Sequence, residues 1–262
     1  MKIGAVFADY DGTLAPVDVD RSASRVPRGL EESLYALGSR IPVAVLTSKD
    51  YAFVRPRTGF AKAWACVSGL EVVIDGVRPP KRPRVSRRLE EGLALSGRIL
   101  GPENTIELKR SSAGVLLGFS VDWRRTSPPP GPNLTAAKLA LKAIGLSVFH
   151  DPSLPFLDVF GARPDKGKAL ENLRRLLKVR GGVLFIGDSM ADSPAFERAD
   201  VGVCVDHGQD VGALSCKFVV AAEDLGNLLS SIRDNGLALD LRALRKNRRA
   251  ARPRRRLAHF RA

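Results

Sequence analysis

Asp9 and Asp11 stand one residue apart in "FADYDGT", directly after the apolar run "IGAVFA". Two carboxylates at the end of a buried strand suit a hard divalent cation, because magnesium takes one or two carboxylates together with phosphate oxygens. They also suit paired acid–base work, since closeness pushes two proton affinities apart. A calcium EF-hand loop wants glycine at its sixth position, and Gly12 is the fourth residue from Asp9, so that pattern is not met. Taken alone, the pair is equally explained by a strand-end turn, which Asp and Gly both favour.

Three further stretches carry residues of matching chemistry. "FIGDSMAD" ends an apolar run with Asp188 and sets Asp192 four residues later. "VAVLTSKD" ends another with Thr47, Ser48 and Lys49, and Lys166 stands at a predicted helix start in "PDKGKAL". Each has a plain alternative: Asp188 and Thr47 as helix caps, Asp192 as a first-turn acid, Lys166 as a solvated lysine. Their joint placement at the C-terminal ends of predicted strands is what argues for chemistry, because open parallel sheets bind ligands along that edge.

The elements that must position them alternate. "KIGAVFA", "IPVAVLT" (41–47), "AWACVSG" (63–69), "GVLFIGDS", "DVGVCVD" and "CKFVVA" read as strands. "PRGLEESLYALGS" (27–39), "KGKALENLRRLLKVR" (166–180) and "DLGNLLSSIRDNG" read as helices, with leucines at three- and four-residue spacing. "GLEVVIDGVRP" carries an Asp-Gly hairpin signal. The middle differs: "SRRLEEGLALSGRIL" (86–100) and "LTAAKLALKAIG" (134–145) are predicted helices, each followed by two strand-like runs, with the breaker-rich "TSPPPGPN" (126–133) between the halves. The fold class is therefore α/β: a doubly wound parallel sheet with an inserted α+β module of αββαββ order. The expected division is a core of residues 1–78 and 163–238, an inserted module over 79–162, and a basic extension over 239–262.

Composition narrows the classes. With 262 residues and 44% hydrophobic content the chain can bury a core without disulfides. Cys66, Cys204 and Cys216 form no metal-ligand spacing and read as buried thiols of a reducing cytosol; a bond between Cys204 and Cys216 is expected only in an extreme-thermophile source. No secretory signal or membrane span is read, and a cytoplasmic location is expected. The net charge of +14 is concentrated: residues 241–262 hold ten Arg or Lys and no acid. That run reads as a solvated extension with a helical first part, and nucleic-acid contact is its alternative use.

Together "DYDGT", Thr47, Lys166 and "GDSMAD" resemble the four motifs of the haloacid dehalogenase superfamily of phosphohydrolases. The inserted αββαββ module resembles the C2-type cap shared by trehalose-phosphate and Cof-type sugar phosphatases, phosphoglycolate phosphatases and phosphomannomutases. "DYDGTLAP" is most similar to the trehalose-phosphate branch, "KGKAL" and "GDSMAD" to the Cof and archaeal branches. Ala191 replaces the usual Asn, and Ser48-Lys49 replaces a frequent Gly-Arg. The resemblance implies that Asp9 is a nucleophile forming an aspartyl-phosphate and Asp11 the general acid and base. It implies Thr47 and Lys166 as phosphate-binding catalytic groups, with Ser48 and Lys49 beside them. It implies a Mg2+ ion held by Asp9, the main-chain carbonyl of Asp11 and Asp188, with Asp192 in the same cluster. An acid at position 11 points to a phosphatase or phosphomutase, since the dehalogenase branch does not use it and ion-pumping ATPases carry Thr there. The expected substrate is a small sugar phosphate, the alternatives being phosphoglycolate, a phosphomannomutase-type reaction, or a non-catalytic nucleic-acid-associated protein using the tail. Specificity is expected from the cap, with Arg110, Trp123 and Arg124 as candidate contacts.

Overall fold

The computed structural model describes residues 1–17, 19, 21–77, 87–124, 131–150, 152 and 155–246. In chain order the elements begin with β1 (Ile3–Ala8), α1 (Arg28–Gly38), β2 (Val43–Leu46), α2 (Tyr51–Val54), β3 (Ala63–Cys66) and β4 (Glu71–Ile74). Then come α3 (Arg87–Leu100), β5 (Thr105–Arg110), β6 (Leu116–Asp122), α4 (Gly131–Ala143), β7 (Ser147–Phe149) and β8 (Phe156–Phe160). The chain continues through α5 (Lys166–Leu176), β9 (Gly182–Gly187), α6 (Ser193–Arg198), β10 (Val201–Asp206), β11 (Phe218–Ala221), α7 (Leu225–Asp234) and β12 (Arg245–Lys246).

The larger sheet has the order β12-β11-β10-β9-β1-β2-β3-β4. β1 lies at its centre, parallel to β9 on one side and β2 on the other. Every residue of β1 is buried, as a strand covered on both faces requires. The two-residue alternation splits its side chains between two cores. Val6 and Ala8 join Leu34 and Leu37 of α1 and Leu229 and Ile232 of α7. Ala5 and Phe7 join Leu170 and Leu173 of α5 and Phe196 of α6. This is the doubly wound sheet read from the strand–helix alternation, with β4 and β12 as antiparallel edges.

Between β4 and α5 the chain builds a second sheet, ordered β5-β6-β8-β7 and antiparallel throughout. Its elements follow the αββαββ order. One face buries Phe119, Val121, Leu157 and Val159 against Leu89 of α3 and Leu141 of α4. The opposite face carries Glu107, Ser120 and Asp158, aligned by cross-strand register.

Several local expectations change. α4 begins at Gly131, inside the stretch read as a loop. The Asp75–Gly76 turn is closed by the Val77 N–H donating to the Ile74 carbonyl at 3.0 Å, but the strand partner of β4 is β3, upstream of it. The extension expected from residue 239, helical at first, is instead part of the core through Lys246. Leu239 is buried, its N–H donates to the Met1 carbonyl at 2.8 Å, and β12 pairs with β11. Grouping these residues by charge hid the leucines at 239, 241 and 244 that pack on the sheet. The arginine-rich run after Lys246 lies outside the described residues. Cys204 and Cys216 are buried free thiols.

Candidate active site

Asp9 leaves the end of β1 in the middle of the sheet and is 6% exposed. One of its oxygens accepts the Tyr10 N–H at 2.7 Å. The other lies 2.9 Å from Lys166 Nζ. Asp188 follows β9, the neighbouring strand, and the two chain ends meet because their strands pair in parallel. Gly12 makes the approach feasible: its φ is +73°, and a Cβ there would stand 2.1 Å from Asp188 Oδ2. Thr13 Oγ1 donates to the other Asp188 oxygen at 3.4 Å. His207, in the loop after β10, bonds the Gly12 carbonyl and holds the same turn from outside.

Asp192 is fully buried and already engaged at both oxygens. Oδ1 takes Lys166 Nζ at 2.7 Å. Oδ2 accepts the Asp188 and Ser189 N–H groups and the Ser189 hydroxyl, each at 3.1 Å. The geometry therefore gives Asp192 the work of folding the Asp188 loop and aiming Lys166, within the acidic cluster where it was expected. Lys166 is the first residue of α5, where the helix dipole disfavours a cation. It is 3% exposed and held there by two carboxylates. Asp165 caps α5 by accepting the Lys168 N–H at 2.9 Å.

Thr47 follows β2, the strand paired with β1, and is fully buried. Its Oγ1 accepts the Lys49 N–H at 3.1 Å, which leaves its own O–H to donate. Val67 and Ser68 follow β3 with φ of 50° and 54°, a left-handed pair that costs a β-branched residue of order 1–3 kcal/mol. That turn ties the Thr47, Lys49 and Asp165 segments together. Ser68 N–H donates to the Thr47 carbonyl at 2.8 Å, Val67 N–H to the Lys49 carbonyl at 2.9 Å, and the Ser68 carbonyl accepts Asp165 N–H at 3.1 Å.

Asp11 stays outside the cluster. Its Oδ2 lies 3.6 Å from Lys49 Nζ, which is also 3.8 Å from Glu107 Oε2 on β5 of the second sheet. Arg21 completes this bridge by pairing with Glu107. Lys109, two residues along β5 and 3% exposed, donates to the Ser48 carbonyl at 3.3 Å and pairs with Asp158 at 3.2 Å. Ser120 donates to the same Asp158 carboxylate. Glu107, Lys109, Ser120 and Asp158 thus form a polar face over the site that the sequence reading did not name. Alternation along β5, with Glu107 and Lys109 on one face, was the available signal. Of the cap contacts that were named, Arg110 instead donates to the Gly114 carbonyl at the hairpin turn. Trp123 is buried in the helix-side cluster beside His150. Arg124 lies nearer the site, paired with Asp122 at 2.8 Å.

Burial pushes the Asp9 carboxyl well above the usual range; Lys166 pulls it back, while Asp192, Asp188 and Asp11 push it up. Burial first, then Asp192, raises Asp188 to about 6. Burial alone would lower Lys166, but Asp192 and Asp9 outweigh it and hold the ammonium above its ordinary value. Burial would likewise raise Glu107, and Lys49 and Arg21 outweigh it and hold the carboxylate low. Asp9, Asp188 and Asp192 bring one oxygen each within 4.8 Å of one another. Three carboxylates against one ammonium leave excess negative charge in a dry place, and hard oxygen donors of this kind fit a divalent cation such as Mg2+. No helix among the described residues is long and apolar enough to cross a membrane.

The family model described as haloacid dehalogenase-like hydrolase matches residues 138–226. A trehalose-phosphate phosphatase of Mycobacterium avium is 29% identical over 228 residues, covering 79% of this chain and 55% of that protein. An uncharacterized glycosyl hydrolase of Mycobacterium tuberculosis is 30% identical over 226 residues, covering 78% of this chain and 16% of that protein. The chain thus spans about half the length of the first relative and a small part of the second. The C-terminal domain of the Candida albicans trehalose-6-phosphate phosphatase superposes with a TM-score of 0.72 at 16% identity, covering 90% of this chain and 93% of that one. A phosphatase of the haloalkanoate superfamily from Bacteroides thetaiotaomicron superposes with a TM-score of 0.65 at 16% identity, over 90% and 96% of the two chains. The family match over residues 138–226 and the shared fold agree with the four motifs, and the chain is similar to the haloacid dehalogenase-like hydrolases.

Proposed function

We propose that the chain is a magnesium-dependent phosphatase that hydrolyses a small sugar phosphate through an aspartyl-phosphate on Asp9. The observation that carries this is the separation of the two aspartates. Asp9 is locked in the buried acidic cluster with Lys166, while Asp11, two residues on, faces Lys49 and the cap. A nucleophile must be ionised and fixed, and a general acid must be free to exchange a proton at the leaving group. The two environments divide the roles in that way.

Asp9, Asp188 and the main-chain carbonyl of Asp11 would hold the cation, which supplies charge neutralisation between an anionic nucleophile and an anionic phosphate. Asp9 attacks phosphorus in line, and Asp11 protonates the departing alkoxide. Asp11 then takes a proton from water as that water cleaves the aspartyl-phosphate. Lys166 and the Thr47 hydroxyl stabilise charge on the phosphoryl oxygens.

The cap supports the substrate class. Lys109 and Arg21 are already paired with Asp158 and Glu107, so the face meeting the leaving group mixes donors and acceptors without a spare cation among these residues. That suits a polyhydroxylated leaving group better than the carboxylate of phosphoglycolate. Trehalose phosphate is the first candidate, because relatives and structural neighbours carry trehalose-phosphate phosphatase as their name.

The test is inorganic phosphate release from sugar phosphates, phosphoglycolate and an aryl phosphate, with and without magnesium. Magnesium-dependent release that Asp9→Asn abolishes is expected, with Asp11→Asn sparing the aryl phosphate more than the sugar phosphate. Isomerised sugar phosphate without phosphate release would indicate a phosphomutase. Turnover by Asp9→Asn at the parent rate would remove the nucleophile assignment.

A further inference from the structure

Glu71 is a carboxylate that the proposed chemistry does not use. It opens β4 in the core and is 7% exposed. Its hydrogen-bond donors among the described residues all come from the cap, at Ser112 in the turn joining β5 to β6. The Ser112 N–H reaches both carboxylate oxygens, at 2.9 and 3.0 Å, and the Ser112 hydroxyl donates to Oε1 at 2.7 Å. A buried carboxylate left without donors carries a heavy desolvation cost. Seating the cap satisfies this one, and lifting the cap would strip it.

We propose that Glu71 and Ser112 are a positioning pair that seats the cap and sets the register of its polar face over the site. β5 connects the seat to that face directly. Lys109 and Glu107 lie three and five residues from Ser112, roughly 10 and 17 Å along an extended strand. A slip at the turn is therefore passed along β5 to the groups that meet Ser48 and Lys49. The core side of the seat is equally well connected. Glu71 follows the left-handed Val67–Ser68 turn that holds the Thr47 and Lys49 carbonyls and Asp165. One stretch of backbone thus carries the cap seat and braces the phosphate side of the pocket. Ser112 is exposed, so the seat lies at the rim, where it can open without disturbing either core.

The effect on turnover rests on the phosphatase reading; the seat itself does not. Hydrogen exchange in the full chain tests the seat alone: the Ser112 amide should exchange much faster in Glu71→Ala than in the parent. Kinetics test its role. For Glu71→Ala, kcat/KM on a sugar phosphate should fall about ten- to a hundredfold, the scale expected of an ångström-sized misplacement. For p-nitrophenyl phosphate, which leaves the cap face little to grip, it should change far less. Glu71→Gln, of the same shape and still offering a carbonyl oxygen, should recover much of both signals. Unchanged Ser112 exchange in a folded Glu71→Ala would overturn the seat. Equal losses on both substrates would reduce Glu71 to a general support of the core. If the parent hydrolyses neither compound, the phosphatase reading fails, and Ser112 exchange still decides the seat.

Discussion

Chelating divalent cations should destabilise the protein by an amount that grows with pH. The Asp188 carboxyl, ordinarily near 3.8, is raised to about 6 in the cation-free fold, and Asp9 moves in the same direction. The folded state then binds these protons more tightly than the unfolded chain does. Below about pH 4 both states are protonated and no penalty arises; the penalty builds between about pH 4 and 6 and is complete above that. Two units of displacement correspond to about 3 kcal/mol for Asp188, an upper figure because the group is only partly buried. In a chain of this size that is roughly 6–12 °C in Tm. A cation bound between Asp9 and Asp188 cancels the repulsion, so calorimetric scans with magnesium and with EDTA should converge near pH 4 and separate by that margin near pH 7. A magnesium increment of the same size at both ends, or none at either, would refute the assignment of these carboxylates to a cation.

Lys166→Met leaves Asp9 and Asp192 buried without their cation; unfolding in denaturant should show a loss on the order of 3–5 kcal/mol, and phosphate release should fall by about a thousandfold. Gly12→Ala places a methyl 2.1 Å from Asp188 Oδ2 at a left-handed backbone position, so calorimetric titration should show magnesium affinity collapsing while the rest of the fold persists. A chain ending at Lys246 should melt with the parent, whereas one ending at Ala238 should melt several degrees lower. The shorter chain forfeits buried Leu239, worth about 2–3 kcal/mol, together with β12.

The sheet was legible because its strands are short apolar runs and its helices carry leucine stripes. The motif residues were legible because Asp9, Thr47 and Asp188 each follow such a run and Lys166 opens a leucine-striped helix. What the sequence could not supply was how the distant segments engage. Spacing put Asp192 one turn beyond Asp188, but only the folded loop shows its Oδ2 consumed by two amides and a hydroxyl. Glu107, Lys109 and Glu71 matter through contacts between cap and core, and these depend on how two separately packed sheets dock. Residue type alone marks Arg110, Trp123 and Arg124 as cap contacts. Strand alternation and the hairpin turn then sent Trp123 into the apolar core of the cap and Arg110 to the turn. The core runs past residue 238 because three spaced leucines, at 239, 241 and 244, pack on it despite the surrounding charge.

The pairing of β1 with β9 has a consequence for biogenesis. Asp9 is synthesised well before its partner strand, which follows only after the whole cap. Until β9 emerges, β1 presents an unsatisfied, wholly apolar edge in the half-made sheet, a target for misassociation. The cap, contiguous in sequence and with a core of its own, can fold meanwhile and shorten the effective loop that must close. The acidic cluster of Asp9, Asp188 and Asp192 therefore cannot assemble until Asp188 emerges, and its completion is a late marker of correct assembly.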